Sequence, residues 1–343
     1  MGHRWGWVKQ QWASYKAFFY TGLLMAVLAF LGKALFEHWQ AITTIRITLS
    51  AWACFAIATG ITLLAFTWTG WVWGWILEDL GHPVSNVWAT QIYLTTNIAK
   101  YLPSNLVHLY GRTLAANAVG IPLSAASLSV ILDTLLMISA GLILGLLSVP
   151  QSGVGSAGLG LMAVLVIMHP VVLRSLGQWL TQLAAAITKR NPPQRANPFR
   201  LLRYPWRPLL GEISILILRG LGFTLVVQAL IPLGIEAVPR LISIFSIGWL
   251  LGFITPGVPG GVGVFELTVS QLMIRPGVLT DGPTLSYGLA LGSVALYRLM
   301  NTLAEAIGAG LAWLDTKHSR TATTPILRSS LVAKPNPQNG VKN

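Results

Sequence analysis

The sequence predicts an all-α polytopic membrane protein, built from six transmembrane helices and two opposed re-entrant half-helix hairpins arranged as an inverted repeat. Three observations carry that reading. Of its residues 54% are hydrophobic and only 10% charged, with a mean hydropathy of +0.64, whereas soluble domains carry about 25% charged residues. Two apolar stretches are broken, one at Leu102-Pro103-Ser104-Asn105 and one between Thr255 and Glu266. Basic residues gather in three polar segments, the N-terminus, residues 189–208 and the tail, which marks those segments as cytoplasmic.

Residues 1–16 carry Arg4, Lys9 and Lys16 with no acid, interleaved with Trp5, Trp7 and Trp12, as suits a cytoplasmic segment resting on the interface. The first membrane half runs over 17–149. Ala17 to Phe36 is the first span; its apolar run is too long for a cleaved signal peptide. Thr48 to Ile76 is the second, ending in Trp68, Trp71, Trp73 and Trp75, which read as an aromatic belt. Ser85 to Val119 is apolar but interrupted by polar groups including Asn97, Lys100, Asn105, His108 and Arg112. A lipid-exposed span would not carry that load, so two half-helices are expected around Pro103, against the alternative of an amphipathic surface helix. Ser124 to Val149 is a span with Asp133 near its middle.

The second half covers 150–314. Gln151 to Ser156 reads as a turn, and Leu159 to Leu180 as a span kinked at His169-Pro170. Residues 189–208 hold six basic residues and no acid. Ile213 to Ile231 follows, with Glu212 and Arg219 on one face. In Thr255-Pro-Gly-Val-Pro-Gly-Gly-Val-Gly-Val-Phe-Glu266, Pro256 and Pro259 remove backbone donors, and Gly257, Gly260, Gly261 and Gly263 make helix costly. The flanking runs, Leu241 to Ile254 and Val262 to Ile274, are short for spanning, since about 20 residues are needed. Were they spans, the chain would cross eight times. Leu285 to Leu314 closes the half with a polar stripe, Arg298, Asn301, Thr302 and Glu305, that must face protein or water. The tail, 315–343, is basic and rich in Pro and Asn, with the composition of a disordered cytoplasmic segment.

Several functions are excluded. The net charge of +13 lies in loops and forms no stripe alternating with exposed aromatics, so nucleic acid is not the partner. Cys54 stands alone, and the six histidines have no ligand spacing, so neither disulfides nor a metal or other cofactor are expected. No nucleotide-binding or hydrolase motif occurs. Glu78-Asp79 with His82 is the only acidic pair that could serve a membrane enzyme, and it is thin support for one.

With the three basic segments inside, the crossings between them are even in number. Two spans, a hairpin from the cytoplasm and a third span, then the same series inverted, satisfy this and bring the two breaks together near the midplane. The charges then look exchanged between halves: Arg112 then Asp133 after the first break, Glu266 then Arg298 after the second. Buried charges must be paired or wetted, but the spacing leaves open whether pairs form within or across halves.

Lys100-Tyr-Leu-Pro-Ser-Asn-Leu-Val-His-Leu-Tyr-Gly-Arg112 and the Thr255–Glu266 segment together resemble the lysylphosphatidylglycerol synthase transmembrane-region family, a flippase-like domain. The resemblance runs from the first span to Leu314. Ser104 stands where the family usually has glycine, Val107 where an aromatic is common, and Asp133 where glutamate is expected. Fused relatives make an aminoacylated lipid with a separate soluble domain. Only the short tail follows Leu314 here, so that activity is not expected.

The resemblance and the breaks together imply a plasma-membrane protein that moves a lipid or lipid-linked intermediate with a charged head group, and that is not an enzyme. Its translocation path would run along Lys100, Tyr101, Pro103, Ser104, Asn105, His108, Arg112 and Asp133 in the first half. In the second it would follow Pro256, Pro259, Gly260, Gly261, Gly263, Glu266, Arg298 and Glu305. Half-helix ends, Lys100 and Arg112 would face a phosphate; Glu266 and Asp133 would meet a cationic group or carry protons. The alternative is a non-catalytic membrane partner of a glycosyltransferase or other lipid-modifying enzyme.

Overall fold

A computed structural model describes residues 48–101, 107–146, 151–188, 204–231, 233–255, 258–275 and 287–319. The interfacial N-terminus, the first span, the basic loop over 189–203 and the tail from 320 lie outside the described residues, as do Pro103, Ser104, Asn105 and Pro256. Those described form ten α-helices and no strand. In chain order these are α1 (Leu49–Asp79), α2 (Asn86–Asn97), α3 (Val107–Ala118), α4 (Leu123–Gly145), α5 (Gln151–Ile167), α6 (Pro170–Thr188), α7 (Trp206–Leu230), α8 (Ala237–Ile254), α9 (Val264–Met273) and α10 (Tyr287–Ser319).

Four of them, α1, α4, α7 and α8, are long and apolar enough to cross a membrane. A fifth candidate is α5 with α6, whose segments Gly158–Ile167 and Pro170–Gln182 meet at 59°. This is a multi-pass membrane protein. The bend falls at His169-Pro170 as expected, because proline cannot donate into the ladder and crowds the preceding turn. The expected turn at Gln151 is helix instead: α5 begins there and runs through its glycines, whose cost of about 1 kcal/mol each does not stop an otherwise apolar helix. α8 starts at Ala237, earlier than the apolar run indicates, since Pro239 sits in the first turn where no donor is required. At 18 residues α8 is long and apolar enough to be a candidate span. α10 is 33 residues long but falls outside the apolar set, its polar stripe lowering its hydropathy.

The first interrupted stretch is two helices, α2 and α3, of 12 residues each. Each rises about 18 Å, short of the roughly 30 Å hydrocarbon core. A 3₁₀ turn, Ile98–Tyr101, extends α2 toward the break. Close approach of α2 to α1 is set by Gly70-Trp-Val-Trp-Gly74: a Cβ on Gly70 would strike the backbone of Thr90, and one on Gly74 would lie 2.9 Å from Asn86 Oδ1. The second break keeps one 3₁₀ turn, Pro259–Gly261, between α8 and α9.

Two apolar cores flank the centre. One joins α7 to α10 around Phe223, Phe245, Phe265 and Tyr297, whose rings meet at centroid distances of 5.4 to 6.3 Å. The other joins α1, α2, α4, α6 and the start of α7 around Trp73, Leu77, Leu128 and Leu132. The expected aromatic belt is therefore divided. Trp71 is exposed, but Trp73 is wholly buried, stacked 5.8 Å from Trp88 and donating to Ser129 Oγ at 3.2 Å. Consecutive tryptophans on a helix point in different directions, so only some can face the interface.

Ends that antiparallel neighbours should share are adjacent. Arg207 at the start of α7 reaches Glu78 at the end of α1 at 3.5 Å and lies over the Trp75 ring. Ser243 near the start of α8 donates to the carbonyl of Gly145 at the end of α4, at 3.0 Å.

Gly260, Gly261 and Gly263 all have positive φ (60°, 67° and 86°). At Gly261 a Cβ would also lie 2.9 Å from the backbone of Gly252 on α8. Gly261→Ala is expected to cost about 1–3 kcal/mol, from strained dihedrals plus the clash. Gly120→Ala, at φ 93° with open space around it, meets only the strain. Thermal unfolding in detergent should rank Gly261→Ala clearly below Gly120→Ala; equal melting points would show that the α8 contact is soft.

Candidate functional site in the cavity between the two breaks

The two breaks meet. The ring of Tyr101 lies against Gly260, 2.9 Å from where a Cβ would stand. Beside this contact, between the two apolar cores, is a cavity of about 80 Å³. That volume holds several waters, and so a head-group fragment but not acyl chains. Its wall carries four cations, Lys100, Arg112, Arg219 and Arg298, with Asp133, His108, Asn97 and Asn301 among aromatic side chains.

Three of the cations are already paired. Arg112 of α3 donates from Nη1 to Asp133 Oδ2 of α4 at 2.6 Å and lies 4.4 Å from the Tyr93 ring centroid. Both partners are buried. Arg298 of α10 pairs through Nε with Glu266 Oε1 at 2.8 Å, while its two Nη groups donate to the carbonyls of Gly260 (3.0 Å) and Gly261 (3.2 Å). Lys100, in the 3₁₀ turn, pairs with Glu305 of α10; Tyr101 donates its hydroxyl to the same carboxylate at 2.6 Å, and Asn97 its amide at 2.8 Å.

The pairing left open by the sequence is thereby answered. Arg112 with Asp133 and Glu266 with Arg298 both form within their own half, each joining elements adjacent in sequence. Across the halves Lys100 pairs with Glu305, in addition to the exposed pair of Glu78 with Arg207. Helical spacing explains why α10 can serve both breaks: Arg298, Asn301 and Glu305 at i, i+3 and i+7 share one face. The stripe does face protein, as its polarity demanded.

Other expectations change. The N-terminus of α9 is not open to a phosphate, because Glu266 Oε2 accepts from the Gly263 N–H at 2.6 Å. Glu266 and Asp133 are each engaged by an arginine, and so meet a cationic group only by exchanging that partner. His108 is buried on the cavity wall, and its Nδ1 has no partner. Pro259 is in the 3₁₀ turn of the second break.

Two side chains escape a motif search. Glu212 of α7 is fully buried, and the group beside it is a second acid, Asp133. Arg112 thus lies beside two carboxyl groups and donates to one of them, Asp133. Arg219, on the same face of α7, lines the cavity with only 8% of its surface exposed. A charge inside an apolar run was the available signal for both; what they face required the fold. Among the described residues no cluster of His, Cys, Asp and Glu could hold a metal ion.

No protein-family model matches the chain, and no curated protein is significantly similar to it.

Proposed function

We propose that this protein moves an amphiphile with a charged head group across a bilayer, the head group passing through the cavity while the acyl chains stay in lipid. One observation carries the reading: a charged cavity lies in a membrane protein where two broken segments meet. Desolvation of a polar or charged head group is the main barrier to crossing hydrocarbon. A wall with four cations, three of them held by carboxylates, lowers it by offering exchangeable partners. Small volume favours a fragment over a whole lipid.

The resemblance of the Lys100–Arg112 and Thr255–Glu266 segments to a flippase-like domain agrees with this reading. So does the topology we infer with it: six crossings, two opposed hairpins as an inverted repeat, both termini cytoplasmic, in the plasma membrane. The adjacency of Glu78 with Arg207, and of Gly145 with Ser243, supports the antiparallel placement of α1 against α7 and of α4 against α8 within it. No chemical step is assigned to the protein.

The test is translocation of head-group-labelled lipids in proteoliposomes, over a panel of aminoacylated, zwitterionic and polyprenyl-phosphate species. Purified protein should exceed empty liposomes for at least one species. Glu266→Gln, which loosens Arg298 and the second break, should slow it by about tenfold or more, the worth of a charge-assisted contact. Arg207→Ala, at an exposed pair, should leave the rate unchanged. If a folded preparation moves no lipid, the protein is instead a membrane partner of a lipid-modifying enzyme.

A further inference from the structure

Arg219 is the cavity's odd charge. It donates from Nη2 to Asn301 Oδ1 at 3.1 Å, and its guanidinium lies near the rings of Phe66 (5.0 Å) and Trp249 (5.8 Å). Its Nε has no acceptor. Among the described residues it forms no ion pair, while Lys100, Arg112 and Arg298 each have a carboxylate. Glu212, on its own helix, is two turns away, about 10.5 Å by helical rise, and is turned to Asp133. A buried cation answered by a neutral amide, the neighbouring Tyr297 hydroxyl and two ring faces is costly unless something negative completes it.

We propose that Arg219 and Asn301 form an anion seat that takes the phosphate oxygens of the translocated head group. This rests on the translocation reading and narrows it: the substrate class is an anionic phosphate amphiphile, and the phosphate is held here rather than at Lys100 or Arg112. A guanidinium with a free N–H edge matches two phosphate oxygens in its fork geometry. The amide of Asn301 accepts from Arg219 through Oδ1, which leaves its NH₂ to donate to a third oxygen. Phe66 and Trp249 bound the guanidinium and limit its access to water.

The experiment is binding of short-chain probes to the full-length protein in neutral detergent, by calorimetry. The probes are dihexanoyl phosphatidylglycerol, dihexanoyl glycerol without phosphate, and inorganic phosphate. Dihexanoyl phosphatidylglycerol should bind, and the phosphate-free lipid at least tenfold more weakly. Arg219→Lys, which keeps the charge but not the fork, should bind at an intermediate level; Arg219→Gln should lose about tenfold or more. Asn301→Asp guards against misfolding: it supplies Arg219 with its own carboxylate, so melting should be unchanged or higher while anion binding falls by a similar factor.

Equal binding of the phosphatidyl and phosphate-free probes overturns the seat, and so does unchanged binding in a folded Asn301→Asp protein. If inorganic phosphate binds as well as the lipid and is lost in the same variants, the seat stands but serves the free ion. The translocation reading fails separately. Wild-type protein that binds through Arg219 yet moves no lipid keeps the seat and loses the transport; protein that moves lipid with Asn301→Asp unaffected does the reverse.

Discussion

Arg112→Ala should lower stability by about 3–5 kcal/mol, the scale for stripping one partner from a buried charge pair. The reason is the imbalance it leaves. Asp133 and Glu212 are both wholly buried and adjacent, and Arg112 is the guanidinium that holds Asp133 at 2.6 Å. Asp133→Asn should cost less, because Glu212 remains to face Arg112. Arg112→Lys should fall between, keeping the charge but losing the planar group that lies over Tyr93. Thermal unfolding in detergent, with folding checked by helical circular dichroism, gives the ranking. A loss below about 1 kcal/mol for Arg112→Ala would mean that water reaches the pair, against its burial.

Glu305→Ala should be comparably damaging, by about 3–5 kcal/mol, and should also stop translocation. Its carboxylate accepts from the Lys100 ammonium, the Tyr101 hydroxyl and the Asn97 amide. All three donors lie at the end of α2 and in the 3₁₀ turn that follows it, so their loss frees that turn from α10. Amide hydrogen exchange should rise at Asn97–Tyr101 while α4 and α7 keep their protection. Glu305→Asp, one methylene shorter, should reach some of the donors and show a partial effect. Unchanged exchange in Glu305→Ala would mean that the Tyr101–Gly260 contact alone holds the 3₁₀ turn.

Much of the architecture could be read from the chain because a bilayer imposes simple rules. Apolar runs marked α1, α4 and α7, the proline at 170 marked a bend, and the two breaks were marked by polar residues around Pro103 and by prolines and glycines between Thr255 and Glu266. What escaped was set by three-dimensional partners. Lys100 and Glu305 are 205 residues apart, and no local spacing joins them. The tryptophan cluster looked uniform in sequence, but helix geometry sends Trp73 into the core and Trp71 outward. The start of α8 lies before the apolar run that begins at Leu241, because Pro239 is accommodated in the first turn, where no donor is required. Glycine at Gly70 and Gly74 carries no visible message; the crossing of α2 over α1 gives it one. Within the site, listing charges was straightforward, and deciding which was left without a counter-ion was not. Arg219 looked like one more cation in an apolar helix until the three others were found engaged.

The face of α10 that bears Arg298, Asn301 and Glu305 touches the second break, α7 and the first break in turn. Along an α-helix those three residues span about 10.5 Å and turn as one rigid body. The helix is therefore a common shaft: a roll or slide that relieves the Gly260 carbonyl also shifts the carboxylate holding Lys100. The two breaks cannot be loosened independently, and whatever occupies one alters the free energy of releasing the other. By reciprocity the same coupling acts in both directions, so a group bound near Lys100 is felt at Gly260 as strongly as one at Gly260 is felt near Lys100.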